Sequence, residues 1–368
     1  MATFIAILIF IIILGILVFV HELGHFSVAK WFGVRVDEFG MGFPPRAMRL
    51  FKRGETEYTL NWIPFGGFVK IYGEDSLGED GKSNPDYARS LGAKKWWQQI
   101  LVLIAGVVMN VLLAWIIFTG ALLSGAPTLA SQTEHPELLR NAQLTVIGIA
   151  PNSPANEAGI VAGEAIVSAS HDEATLTEFT PDAFTQFIQS TPTEGTVMLE
   201  LAKGSTTREI AVTPVTTINP GTQAIGVSID RVGIAPGLRL FPAIGQGFVA
   251  TYQTVGGTFR SFGQLVTGKV SLNALSGPVG LTQMVGDAQK VGFGYLAILT
   301  AIISINLAVI NILPFPALDG GRILVVIIEI LIRRPLPSKF IGWLNGAGFI
   351  FLILLMLAVT AKDIVKLF

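Results

Sequence analysis

The sequence predicts a polytopic α-helical membrane protein with about four transmembrane helices, a juxtamembrane β element and one inserted α+β domain. Hydrophobic residues make up 51% of the 368 residues and charged residues only 14%, whereas soluble domains carry roughly 25% charge. Four apolar runs also approach the ~20 residues that cross a hydrocarbon layer. The net charge of −1 gives no basis for a nucleic-acid partner, and none is predicted.

The first predicted span lies in residues 1–33. Residues 2–20 are apolar and carry no charge, and the first basic residue is Lys30. A cleaved signal peptide is the alternative, but it requires a basic start and a small-residue cleavage site. Because both are missing, the run is predicted to be a membrane span.

The remaining spans are predicted in residues 97–123, 295–321 and 339–368, each built around a long apolar run. The intervening segment 322–338 contains a shorter apolar stretch that is interrupted by Glu329. Its length favours a re-entrant or interfacial segment over a fifth span.

Charge asymmetry predicts the orientation of these spans. Residues 30–95 contain eleven Lys or Arg residues, and residues 1–29 contain none. Short cytoplasmic loops are enriched in Lys and Arg. Residues 30–95 are therefore predicted to be cytoplasmic, with both termini and the long region 124–294 on the exterior side of the membrane.

A juxtamembrane β element is predicted within residues 34–96, where Val34 and Val36 alternate with polar residues and a second alternating run follows. The element reads as a β-hairpin or re-entrant loop. Two interpretations stay open: a cytoplasmic loop with two strands, or a sheet edge that pairs with an extended substrate.

A compact domain is predicted for residues 144–215, after a linker at 124–143. The order of its predicted elements is strand, helix, two strands, helix, strand. This order, with Ser153-Pro154-Ala155 opening the first helix, resembles a PDZ domain, and an unrelated small α+β domain is the alternative. Residues 216–294 are predicted to form an amphipathic, membrane-associated region.

The string His21-Glu22-Leu23-Gly24-His25 directly follows the first apolar run. Histidines four residues apart on a helix are offset by only about 40° and face one metal ion. Glu22 then fits the general base of an HExxH metalloprotease. Zinc takes three protein ligands and an open position in catalytic sites, so a third ligand is required. The chain has no cysteine, and His135 and His171 lie in the predicted exterior region.

Asp319 is the best candidate for the third ligand. It follows the third predicted span within the stretch 311–321, which contains two prolines and two glycines. Irregular backbone at membrane depth is tolerated where it lines a polar cavity, and an ionisable residue there suggests function. The alternative is that Asp319 caps a helix beginning at Gly320.

Together these motifs resemble the site-2 protease family of intramembrane zinc metalloproteases, in its PDZ-bearing, RseP-like bacterial branch. The resemblance covers nearly the whole chain: HExxH in the first span, Leu318-Asp319-Gly320 after the third, the Gly-Gly-Phe-Val-Lys-Ile stretch 66–71 and the inserted domain. It departs at Val107, where the family often has proline in Ala-Gly-Pro-x-x-Asn, and in having one PDZ-like domain where some relatives have two.

The resemblance implies a zinc cofactor held by His21, His25 and Asp319, with Glu22 as catalytic acid and base. It also implies that Asn306 and Asn311 line the site. We further expect Gly66 and Gly67 to contact substrate.

For partners, the resemblance implies single-span membrane proteins as substrates, such as anti-sigma factors or remnant signal peptides, in the bacterial inner membrane. It implies a site near the cytoplasmic face and a PDZ ligand or substrate filter on the exterior side.

Two other functions remain open at this stage. A membrane-anchored HExxH protease with a soluble catalytic site would take its third ligand from Glu55, Glu57 or Glu74. A catalytically silent membrane scaffold would use only the PDZ-like domain.

Overall fold

The computed structural model describes residues 2–73, 86–125, 127–132, 136–150, 152–172, 174–192, 195–203, 206–219, 222–268 and 276–365. Glu74 and His135 lie outside these ranges. The helices are α1 (Ala2–Trp31), α2 (Trp96–Ser124), α3 (Pro154–Glu157), α4 (Pro181–Gln189), α5 (Leu240–Val266), α6 (Pro278–Val291), α7 (Phe293–Ile312), α8 (Asp319–Ile332) and α9 (Ser338–Val365). The strands are β1 (Val36–Arg53), β2 (Thr56–Ile71), β3 (Pro127–Leu129), β4 (Arg140–Ile149), β5 (Ala165–His171), β6 (Ala174–Thr175), β7 (Val197–Lys203), β8 (Thr206–Val212), β9 (Val215–Asn219), β10 (Thr222–Ala224) and β11 (Val227–Ile234).

Among the described residues, four helices are long and apolar enough to cross a membrane, namely α1, α2, α7 and α9. Their 20 to 30 residues correspond to lengths of roughly 30–45 Å at 1.5 Å per residue. The prediction of four membrane-spanning helices with a large β-rich portion is confirmed at this level.

The third span ends earlier than its apolar run. Helix α7 stops at Ile312, although apolar residues continue towards Asp319. Pro314 and Pro316 lack an N–H and disfavour a helical residue before them, and Ala317 adopts a left-handed backbone conformation with φ of 72°. The chain resumes as α8, whose 14 residues span about 21 Å, less than the hydrocarbon thickness.

The chain divides into two compact units, and the first contains α1, α8, α9 and the strands β1 and β2. The two strands form the predicted hairpin, joined by a turn at Gly54. Hydrophobic residues from β1, β2, α1 and α2 pack into one buried cluster, with Val36, Phe39 and Val102 among its members. Burial of this apolar surface holds the hairpin beside the first two helices.

Each strand of the hairpin is long enough to fold back on its partner. Residues 36–41 pair on one side with 67–71 and on the other with 57–60, and residues 46–53 pair with 56–61. The sheet therefore has four segments, with 67–71 and 46–53 at its edges. Neither edge has a second strand partner among the described residues.

The second unit is built on a seven-stranded antiparallel sheet with the order β3-β11-β4-β5-β7-β8, in which β6 pairs with β5. The buried side chains of the sheet, such as Leu144, Leu199 and Leu201, surround Phe184 of α4. Helix α4 begins where the Thr180 hydroxyl accepts a hydrogen bond from the Ala183 N–H, with proline in the first turn.

The sheet extends beyond the predicted domain boundaries of 144–215. Strand β4 begins at Arg140, and β11 (Val227–Ile234) pairs with it from within the stretch predicted to be amphipathic and membrane-associated. Within 216–294, the described residues up to Ile234 therefore include strands, and helices α5 (Leu240–Val266) and α6 (Pro278–Val291) follow them. Strand β11 was overlooked because its pairing partner lies some eighty residues earlier in the sequence, and such pairing has no local signature.

Candidate metal centre

Helix α1 places His21 and His25 on one face, as their spacing predicts. Both residues are buried, at 5% and 7% exposure. Their Nε2 atoms lie 3.2 Å apart, and the two rings meet edge to face. The two imidazoles thus present their outer nitrogens to a common point.

Asp319 is the first residue of α8, and its carboxylate reaches the same point. Its Oδ2 lies 3.0 Å from the Nε2 of His21 and 3.4 Å from the Nε2 of His25. The helix is capped at Leu318, without a side-chain cap hydrogen bond. The Asp319 side chain therefore contacts the histidines, as a metal ligand would.

The spacing of these three atoms fits a zinc ion. Zinc bound by nitrogen and oxygen at about 2.0–2.1 Å in tetrahedral geometry separates its ligand atoms by roughly 3.3 Å. The three observed separations are 3.0, 3.2 and 3.4 Å. A zinc ion among these atoms would therefore have two nitrogen ligands and one carboxylate oxygen at ordinary spacing.

The tautomer of His25 is set by its other ring nitrogen. Nδ1 lies 2.8 Å from the Val102 carbonyl oxygen, which can only accept, so Nδ1 carries the proton. In the neutral ring, Nε2 then has a lone pair directed at the site. Metal-binding histidines generally donate their second N–H in this way.

Asn110 occupies the equivalent position behind His21. It is completely buried, its amide lies 3.3 Å from the Nδ1 of His21, and its Oδ1 has no hydrogen-bond partner among the described residues. If Nε2 of His21 faces a metal ion, Nδ1 carries the proton, and rotating the Asn110 amide by 180° brings Oδ1 against that N–H and satisfies both groups. Ser304 of α7 donates a hydrogen bond to the Asn110 carbonyl, which links the third span to this arrangement.

Two glycines allow α1 and α2 to approach closely at the site. A Cβ added at Gly24 would lie 2.4 Å from the Ala105 carbonyl oxygen, and one added at Gly106 would lie 2.4 Å from the Nε2 of His25. Real Cβ atoms do not make such contacts, so a larger residue would displace either the helix or the histidine. Both positions require glycine for close approach.

Glu22 lies beside the hairpin edge. It is half-buried, and a Cβ on Gly67 of β2 would come within 3.8 Å of its Cγ. Gly66, immediately before, has φ of 84°, a conformation that glycine adopts without strain. The structure thus brings Gly67, one of the two predicted substrate-contact glycines, close to the predicted general base.

The two asparagines predicted to line the site differ in position. The Nδ2 of Asn311 lies 3.3 Å from the Nε2 of His21, so Asn311 lines the candidate metal centre. Asn306, one and a half turns earlier in α7, accepts a hydrogen bond from the Thr258 hydroxyl of α5 at 3.0 Å. The observed partner of Asn306 is therefore α5.

The alternative ligand residues are engaged elsewhere. Glu55 pairs with Arg89, and Glu57 pairs with Arg46 and Arg49. These contacts do not support a soluble metal site on the hairpin. His171 contacts Ser190 and the ring of Phe187 in the second unit. Within the described residues, His21, His25 and Asp319 are the group that can hold a metal ion.

Gly106 and Asn110 both match the family pattern Ala-Gly-Pro-x-x-Asn, but the sequence predicted no role for either. A polar residue in the middle of an apolar run is a signal for function, and Asn110 carries it. The role of Gly106 has no such signal in the sequence, because it arises from the crossing of two helices that are distant in sequence.

Comparison with known proteins gives the family. The profile of peptidase family M50 matches residues 9–355. A Clostridium perfringens protein described in its name as a zinc metalloprotease is 38% identical, over 95% of this chain and 95% of its own length. The chain is also similar to the regulator of sigma-W protease RasP of Bacillus subtilis, with 30% identity over 98% of both chains. The zinc metalloprotease RasP of Geobacillus kaustophilus is 30% identical over 98% of this chain and 97% of its own length.

Both the three-ligand cluster and these matches lead to one assignment. The chain belongs to peptidase family M50, the site-2 proteases, and is an intramembrane zinc metalloprotease.

Proposed function

We propose that His21, His25 and Asp319 hold the zinc ion, and that Glu22 is the acid and base for hydrolysis of peptide bonds within or near the transmembrane segments of single-span membrane proteins. The observation that carries the assignment is the convergence of three ligand atoms at 3.0 to 3.4 Å. Two of them come from α1, and the third comes from the first residue of α8.

The protein side chains divide the chemistry between them. Zinc, when bound, supplies Lewis acidity to a water molecule and to the scissile carbonyl. Glu22 accepts a proton from the attacking water as the new C–O bond forms. It returns that proton to the leaving nitrogen as the C–N bond breaks. Asn311, 3.3 Å from a ligand nitrogen, is positioned to hold the substrate backbone.

The substrate has to be extended before it is cut. A helical peptide bond has its carbonyl and N–H already paired, so a transmembrane helix must unwind locally. The edge segment 67–71 offers backbone groups to which an extended chain can pair, and Gly67 lies beside Glu22. These two features favour the sheet-edge interpretation of the hairpin over a plain loop.

The charge distribution supports an orientation in the bacterial inner membrane. Eleven Lys or Arg residues in 30–95 favour a cytoplasmic hairpin, with the site in the cytoplasmic half of the bilayer and the termini outside. The chain has no cysteine, so an introduced cysteine is the only thiol that can be labelled in the variant. Lys52→Cys should react with a membrane-impermeant maleimide only after cell lysis, whereas Thr206→Cys should react in intact spheroplasts. The reverse pattern would contradict the orientation.

The inserted domain is proposed to act as a PDZ-type filter on the exterior side. The order β4, α3, β5, β6, α4, β7 supports this fold, and PDZ domains bind extended peptides by strand addition. The inserted domain would select substrates by their size or by an exposed peptide end before they reach the metal centre.

Mapping the cut sites tests the proposed activity. Purified enzyme in liposomes, given a single-span substrate, should cut inside or next to the transmembrane segment, as shown by mass spectrometry. A zinc chelator should stop the reaction, and added zinc should restore it. Cuts confined to soluble parts of the substrate would contradict the proposal.

A further inference from the structure

The loop 313–318 determines where Asp319 points, and its backbone is unusual. It contains Pro314 and Pro316, which cannot donate hydrogen bonds. It also contains Ala317 with φ of 72°, in the left-handed region that a residue with a Cβ rarely adopts. Such a conformation persists only where neighbouring groups hold it.

Helix α9 provides those neighbouring groups, on one side of three consecutive turns. The Oδ1 of Asn345 accepts a hydrogen bond from the Ala317 N–H at 3.3 Å. One turn later, a Cβ added at Gly348 would lie 2.6 Å from the Pro316 carbonyl oxygen.

One further turn along, the ring of Phe351 lies 5.5 Å from that of Phe315, between centroids. Each of three successive loop residues, Phe315, Pro316 and Ala317, therefore meets one residue of α9.

These contacts are concentrated on a helix that is otherwise largely exposed. Among the described residues of α9, Gly348 and Asp363 are the buried ones, and large apolar residues such as Trp343, Ile350 and Leu354 face outward. The exposed surface suits lipid. The buried glycine allows α9 to approach the loop backbone, which no larger residue would permit.

We propose that Asn345 and Gly348 of the fourth span are positioning residues for the carboxylate ligand. By holding Pro316 and Ala317, they keep Asp319 directed at His21 and His25. The inference rests on the proposed role of Asp319 as a ligand and extends it to a helix that contributes no ligand itself. Changes in groups that support a metal ligand typically weaken metal binding by about 10- to 100-fold.

Glycine substitutions on α9 provide a matched test. A Cβ at Gly348 meets the Pro316 backbone, whereas a Cβ at Gly346 meets nothing within 4 Å. In the purified full-length enzyme, Gly348→Ala should weaken zinc binding by about 10- to 100-fold in chelator competition. It should also change the absorption bands of the Co²⁺-substituted site. Gly346→Ala should match the wild type in both measurements.

Asn345 provides a second, independent pair of variants in case Gly348→Ala does not fold. Asn345→Leu removes the acceptor and should weaken zinc binding, while Asn345→Asp keeps an acceptor oxygen and should restore most of it. Equal zinc affinity for Gly348→Ala, Asn345→Leu and the wild type would overturn the inference.

An Asp319→Ala arm separates this inference from the ligand assignment. If Asp319→Ala loses zinc and the α9 variants keep it, only the role of α9 is wrong. If Asp319→Ala keeps zinc at wild-type affinity, the ligand assignment is wrong and the inference about α9 falls with it.

Discussion

Two carboxylates in this protein, one buried and one half-buried, have contrasting partners. Glu164 of the inserted domain has a side chain that is 4% exposed. It accepts two hydrogen bonds from the Arg208 guanidinium, at 2.8 and 2.9 Å, and a third from the Val161 N–H. Asp319 is 19% exposed, and its contacts at this face are the imidazoles of His21 and His25.

The difference distinguishes a structural ion pair from a metal centre. A guanidinium carries a fixed charge, so Glu164 is neutralised by the protein alone. The imidazoles that bind a metal are neutral, so in the proposed centre the charge of Asp319 is balanced by the zinc ion that the three groups would hold. A half-buried carboxylate against two imidazole nitrogens, with the spacing of zinc ligands, is therefore the stronger sign of function.

The largest effect is expected at Glu22, because only the metal centre performs chemistry. Glu22→Gln removes the proton acceptor while leaving the three ligands in place. Peptide cleavage should fall by about 10²- to 10⁴-fold, with zinc content unchanged by metal analysis. Cleavage by Glu22→Gln within tenfold of the wild type would contradict the assignment of the catalytic centre to the group around Asp319.

Steric crowding at the ligands should come next. Gly106→Ala places a methyl group 2.4 Å from the Nε2 of His25, whereas Gly120→Ala on the same helix meets nothing within 4 Å. Overpacking of this kind costs about 1–3 kcal/mol, which lowers zinc affinity by roughly 10- to 100-fold. Chelator competition measures the zinc affinity of both variants. Equal zinc affinities for Gly106→Ala and Gly120→Ala would contradict the close crossing of α1 and α2.

Removing the partner of His21 should have a smaller effect on zinc. Asn110→Leu leaves the Nδ1–H of His21 without its acceptor in a buried position. Zinc affinity should fall by about tenfold, at the lower end of the range for groups behind a ligand. Asn110→Asp, which keeps an acceptor oxygen, serves as the control, and zinc binding by Asn110→Leu equal to that of the control would exclude the proposed hydrogen bond.

The smallest effect on the metal centre should come from a change beside Glu164, the carboxylate of the inserted domain. Arg208→Gln leaves Glu164 poorly compensated and should destabilise the inserted domain by about 2 kcal/mol. The Glu164–Arg208 ion pair should persist at alkaline pH, because hydrogen bonding to Glu164 raises the pKa of Arg208 above its ordinary value. Denaturant unfolding reports the loss of stability. Zinc affinity should not change, and a parallel loss of zinc would contradict the independence of the two sites.

The features that the sequence predicted correctly are those with a signal in a short stretch of chain. Apolar run length predicted the four long helices, and HExxH spacing placed His21 and His25 on one face. A lone acid after two prolines singled out Asp319. Each of these signals lies within a short stretch of chain, where helix geometry or membrane solvation restricts the possible interpretations.

The features that escaped prediction depend on contacts between distant segments. Strand β11 joins the sheet through a partner far away in sequence, and Asn306 bonds to a helix that no local pattern links to it. Gly106 and Gly348 look like ordinary glycines in apolar helices until the neighbouring backbone is placed beside them. Their importance follows from close approach, which only the folded chain defines.

Zinc binding by the Asp319→Ala variant tests the central claim most directly. The full-length enzyme and a Glu329→Gln control, altered at another acid of the same helix, should each bind one zinc ion per chain in metal analysis. Asp319→Ala should lose that ion to a chelator that leaves the other two loaded. Retention of stoichiometric zinc by Asp319→Ala, with wild-type affinity, would contradict the three-ligand centre.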